Sequence, residues 1–183
     1  MLVACINYMK SPMKISVYTV TTIMFVVIVS GFLLSEEITI PVKNATKSDW
    51  NPKSFWFSPW GKSGVHKGID IFAKEGTPVI AACSGLVVSV ASNGEGGNVV
   101  SILGPKWLVH YYAHMKTVSV LTGTLVRQGD KIGTVGSTGN AAGKAPHLHY
   151  AIITQIPYVW RYRVEKYGAD RMFFLNPHEM LIR

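Results

Sequence analysis

The chain has 183 residues, 48% of them hydrophobic and 15% charged, with a net charge of +8. That length suits one ordinary domain, and sparse charge with ample apolar residues excludes a disordered chain. The 17 glycines keep no triplet period, which excludes a collagen-like chain, and the cations form no arginine-rich helix or aromatic RNA-binding motif, which argues against nucleic acid as a partner.

The first predicted element is an apolar segment over residues 15–34, free of charged side chains. At about 1.5 Å per residue it matches the roughly 30 Å hydrocarbon core of a bilayer. Lys10 and Lys14 precede it, and Glu36 and Glu37 follow it. The positive-inside rule then keeps residues 1–14 in the cytoplasm and exports everything after Leu34. With no A-x-A site and no lipobox cysteine, the expectation is an uncleaved, single-pass anchor in the cytoplasmic (inner) membrane. Secretion after cleavage of a signal peptide is the alternative. Residues 35–50 read as a short polar linker and 51–183 as the folded domain.

Past Trp50 the chain reads as short strands cut by glycine turns. Strands are expected over 78–82, 85–91, 98–103 and 107–114, with turns at Ser92–Gly94, Gly96–Gly97, Gly129–Asp130 and Ser137–Asn140. Residues 158–172 fit a short helix or an irregular basic loop. The fold class is mainly β: a small antiparallel sandwich or barrel-like domain after one transmembrane helix. Cys5 and Cys83 are not expected to pair, and Ala81–Gly85 is a context for a buried thiol.

Two phosphate-loop lookalikes fail. Gly139–Lys144 is followed by Ala145 where a P-loop needs Ser or Thr, and Gly94–Gly97 lacks dinucleotide spacing. His178-Glu179 begins a zinc-protease pattern that Ile182 breaks.

Chemistry is carried by the histidines. His147 and His149, two apart on a strand, share a face at roughly 6.6 Å and can both address one metal. His66 and Asp70 lie about 13 Å apart on a straight strand, so joint ligation requires a bend, for which Gly68 is placed. Asp70, set between Ile69 and Ile71, is either a carboxylate partnered by a metal or a salt bridge or a surface-facing group on an alternating strand. Alternation puts His110, Tyr112 and His114 on one face, expected to line a groove, with His110 at its rim; His178 is assigned to the surface. Nitrogen and oxygen ligands without thiolate describe a catalytic zinc rather than a structural one. Such a zinc lowers the pKa of its water and polarises a carbonyl, while a nearby imidazole moves protons.

These residues resemble the lysostaphin/LytM-type zinc endopeptidases. The likeness runs through His66-Lys67-Gly68-Ile69-Asp70, Gly76-Thr77-Pro78-Val79, Gly85-Leu86-Val87 and Tyr112-Ala113-His114-Met115. It continues through Val126–Asp130, Ile132–Gly136, Ser137-Thr138-Gly139 and Pro146-His147-Leu148-His149-Tyr150 to Asn176-Pro177. The resemblance implies an antiparallel β fold with a substrate groove, zinc ligands His66, Asp70 and His149, and a catalytic pair His147 and His114. It also implies hydrolysis of peptide bonds in peptidoglycan, an anionic polymer matching the basic charge. Tyr150-Ala151 replaces the Phe-Glu of many members, and Met115 the usual Leu. All five functional positions are present, which argues against a non-catalytic, amidase-activating role; an exported lytic toxin is the other alternative. The inner-membrane style of anchor and the lack of a wall-targeting domain lean toward a Gram-negative cross-link endopeptidase.

Overall fold

The computed structural model describes residues 16–92 and 94–183. Residues 1–14, with Cys5, Lys10 and Lys14, lie outside them, as do Ile15 and Asn93 of the Ser92–Gly94 turn.

Helix α1 spans Val17–Leu33, its N-terminus capped by the Ser16 hydroxyl, which accepts from the Tyr18 N–H. Seventeen residues extend about 25 Å, short of a hydrocarbon core. Among the described residues no helix is long and apolar enough to cross a membrane, so the transmembrane expectation for 15–34 finds no support here. The helix is exposed on all sides except at Gly31. There the Trp107 indole packs against it, in space a Cβ would fill, and donates to the Ile28 carbonyl at 2.9 Å.

Among the described residues nine antiparallel strands follow: β1 Ile69–Phe72, β2 Pro78–Ile80, β3 Gly85–Ala91, β4 Asn98–Leu103, β5 Leu108–Val118, β6 Leu125–Val126, β7 Lys131–Val135, β8 His147–Thr154 and β9 Phe174–Leu175. Short helix α2, Pro177–Leu181, follows β9. The strands form one open sheet with main order β1-β8-β5-β4-β3-β6, rather than two stacked sheets. The long strand β5 creates the branch: residues 108–113 pair with β8, whereas Met115–Val118 pair with β7, which carries β2. The stretch 158–172 is irregular, with 3-10 turns at Val159–Arg161 and Asp170–Met172.

One core holds the sheet, built from Ile69, Ile71, Val79, Val100, Ile102, Leu108, Met115, Leu148 and Ile152, with Cys83 buried among them. Residues 35–50, expected as a linker, pack on the domain. Val42 and Trp50 are buried, and backbone bonds tie Thr39, Pro41 and Lys43 to Ala82, Ile80 and Pro78.

Candidate active site

His66 precedes β1 in a turn closed by backbone bonds from Trp56 N–H to the His66 carbonyl and from His66 N–H to the Phe57 carbonyl. Its ring is 1% exposed and stacks on Trp60, with centroids 4.0 Å apart. Nδ1 lies 3.1 Å from the Ser54 carbonyl. A carbonyl only accepts, so Nδ1 carries the proton and the neutral ring presents Nε2 as a lone pair.

That lone pair meets two others. The β1–β8 register sets Asp70 opposite His149. Asp70 Oδ1 lies 3.1 Å from His66 Nε2 and 2.8 Å from His149 Nδ1, and the two nitrogens are 3.1 Å apart. A proton on His149 Nδ1 can face Asp70 or His66 but not both. Tetrahedral zinc with bonds near 2.0–2.1 Å has ligand–ligand edges of about 3.3 Å, and these three atoms fit that set. Among the described residues this is the one group of three His, Cys, Asp or Glu side chains arranged to hold a metal. Burial pushes the Asp70 carboxyl up, but the hydrogen bond from His149 Nδ1 and the adjoining His66 ring outweigh it and hold the group below the usual carboxylate range.

The expected bend between His66 and Asp70 is present. Gly68 contributes clearance: a Cβ there would sit 2.5 Å from the Tyr150 carbonyl oxygen and 2.9 Å from the His149 ring.

His147 and His114 stand beside the triad, with ring centroids 5.1 Å apart; His114 is 5.9 Å from the His149 ring. Each is oriented as His66 is. His147 Nδ1 donates to the Ala145 carbonyl at 2.7 Å and His114 Nδ1 to the Thr138 carbonyl at 2.9 Å. Both Nε2 atoms are therefore unprotonated in the neutral rings. Burial, then the neighbouring His149 and His147, lower the His114 pKa to about 4. His114 is a base that stays neutral well below pH 7.

The expectation that His110, Tyr112 and His114 share a groove face is overturned. His110 and Tyr112 are fully buried on the core side, whereas Tyr111 and Ala113 line the groove. His114 rejoins the groove because its own backbone is left-handed, at φ 62°, which breaks the period-2 alternation. His110 contacts the Tyr150 hydroxyl at 2.6 Å through Nδ1, and its Nε2 lies 3.6 Å from Glu36 Oε1. His178 is half-buried rather than on the surface, and its Nδ1 accepts from Trp50 Nε1 at 3.2 Å.

The five residues floor a groove of about 760 Å³ walled by Trp60, Lys62, Phe72, Tyr111, Lys144 and Phe174. Sequence reasoning missed Trp60, whose only signal was the aromatic cluster Phe55–Trp60. The three carbonyls that fix the imidazole tautomers leave no signal in residue type.

The sheet presents two imidazoles and a carboxylate to one point, with two further imidazoles alongside, an arrangement that could hold a metal ion. Residues 64–159 match Peptidase family M23, and the chain belongs to that family. It is 37% identical over 115 residues to the L-Ala--D-Glu endopeptidase of Bacillus subtilis, covering 58% of this chain and 35% of that one. It is 38% identical over 106 residues to the peptidoglycan DD-endopeptidase ShyC of Vibrio cholerae, covering 58% and 24%. The chain thus spans about a third or less of the length of these relatives. The catalytic domain of the antimicrobial peptidase lysostaphin from Staphylococcus simulans superposes with a TM-score of 0.58 and 28% identity. That match covers 71% of this chain and 90% of that one.

Proposed function

We propose that the chain is a zinc endopeptidase that hydrolyses peptide bonds in peptidoglycan. The observation carrying this reading is the meeting of the His66, Asp70 and His149 donor atoms within 3.1 Å of one another on the floor of an open groove. His66, Asp70 and His149 would hold the metal, which when bound supplies Lewis-acid activation of water and of the scissile carbonyl. The free Nε2 atoms of His147 and His114 take up the proton released as water adds to the carbonyl and return one to the leaving amine. Trp60 and Phe72 offer apolar walls to an extended peptide, and the sheet edge at β1 limits its path.

The substrate class is supported by the names of the relatives and by the basic surface, which favours an anionic polymer. An extracytoplasmic location behind the apolar segment belongs to the same proposal. Its support is the all-round apolar exposure of α1; alkaline extraction of membranes against soluble fractions tests it. For the activity, the full chain should clear a peptidoglycan-containing gel, lose clearing with chelator and regain it with zinc. Clearing by both His66→Ala and His149→Ala would defeat the proposal.

A further inference from the structure

The β8–β9 connection, residues 155–173, supplies no side chain to the groove, yet it displays four strongly exposed apolar groups within six residues. Val164 is 94% exposed, Trp160 71%, Val159 65% and Tyr162 50%. The display is built on a fixed base. Tyr158 packs on the core and stacks under Trp160 at 4.9 Å and 14°. Arg161 donates to the carbonyls of Arg171 and Phe174, and Tyr158 N–H to that of Met172. Trp160 is thereby held with one ring face covered.

Charge in the segment is one-sided. Its acids are engaged, Glu165 by Arg171 and Asp170 by Lys67. Arg163 touches only the Trp160 and Tyr162 carbonyls, and Lys166 lies over the Tyr167 ring. Position adds a second constraint. Leu108 pairs with Thr154, so the root of this loop lies beside the Pro105–Trp107 turn. That is the turn on which α1 docks, and both apolar elements therefore leave from one end of the sheet.

We propose that this loop is a lipid-binding surface that seats the domain on an anionic bilayer. Trp160 and Tyr162 occupy the interfacial layer that suits amphipathic rings, Val159 and Val164 reach the acyl boundary, and Arg163 and Lys166 face headgroup phosphates. The two exposed valines favour lipid over a glycan, since they offer nothing to sugar hydroxyls. Stable membrane anchoring short of a spanning helix takes two signals, so the loop supplies a second contact beside a surface-lying α1. The inference does not depend on the peptidase reading.

The test uses the full-length protein with brominated phosphatidylglycerol vesicles and brominated phosphatidylcholine vesicles. The Trp160 signal is taken as wild type minus Trp160→Phe, with circular dichroism confirming that the variant is folded. Expected are a blue shift and quenching of that signal on phosphatidylglycerol. The double variant Arg163→Gln/Lys166→Gln should partition roughly 30-fold more weakly, at about 1 kcal/mol per basic side chain. Co-sedimentation without Trp160 quenching would assign all lipid contact to α1 and overturn the proposal. So would a Trp160 signal that responds to soluble glycan strands and not to vesicles.

Discussion

Replacing Gly68 with Ala perturbs the candidate metal centre without substituting any of its three proposed ligands. The added methyl group would lie 2.5 Å from the Tyr150 carbonyl oxygen and 2.9 Å from His149 Cε1 and Nε2. Ordinary contact requires about 3.5 Å, so about 1 Å must be found. The carbonyl belongs to β8, where Tyr150 pairs with Ile69, and it cannot swing aside as a side chain tip could. Relief comes from parting the start of β1 from β8 or from tilting the His149 ring, and either motion spoils the Asp70–His149 contact of 2.8 Å. Overpacking of this kind costs about 1–3 kcal/mol, and misplacing a ligand by its surroundings costs about 10–100-fold in metal affinity. Zinc affinity is measured by competition with a chromogenic chelator, and stability by urea unfolding of the metal-free protein. Gly68→Ala protein that matches wild type in zinc affinity would refute the claim that this glycine exists to clear the ligand.

Three further outcomes follow from the same geometry. Burial raises the Glu36 pKa from 4.5 to about 7, against the opposing pull of Lys106 and Arg183. A raised carboxyl contributes stability that is complete below about 4.5 and lost as pH rises through about 7. The ceiling is about 3 kcal/mol, and partial solvent access brings the expectation to about 1–2 kcal/mol. Urea titrations should therefore show Glu36→Gln gaining that much on wild type between about pH 5 and about pH 8; parallel curves would count against it. His147→Ala and His114→Ala should each lower kcat by roughly 10²–10⁴ while binding zinc within a few-fold of wild type, as read by calorimetry. Gly31→Leu places a side chain where the Trp107 ring stands, within 2.3 Å of a Cβ. It should expose the indole, seen as a red-shifted emission, and leave hydrolysis of soluble peptides unchanged.

Much of the site was legible because its parts are local. His66 and Asp70 fall within five residues and His147 and His149 within three, and period-2 reasoning is sound along β8, where alternation is unbroken. It failed on β5 because one non-glycine residue, His114, adopts a left-handed backbone that nothing in Tyr-Tyr-Ala-His-Met announces. Two residues assigned to the groove, His110 and Tyr112, consequently belong to the core. The strands 85–91 and 98–103 were readable from β-branched residues between glycine turns. The branching of the sheet was not, since it depends on β5 exchanging β8 for β7 midway. Residues 35–50 looked polar in bulk, yet Val42 and Trp50 anchor them, and the packing of two side chains outweighs the composition of sixteen positions.

The imidazoles of His66, His114 and His147 are each held by a main-chain carbonyl, from Ser54, Thr138 and Ala145. No side chain sets these tautomers. The Ser54 hydroxyl has no partner among the described residues, and Ala145 has no polar group to offer. The identity of those two side chains therefore does not set the tautomers, whereas a one-residue insertion or deletion nearby would turn a donor nitrogen toward the groove and silence its base. The proton inventory of this site is written in loop lengths, and lineages that keep the five side chains but alter those lengths should be inactive.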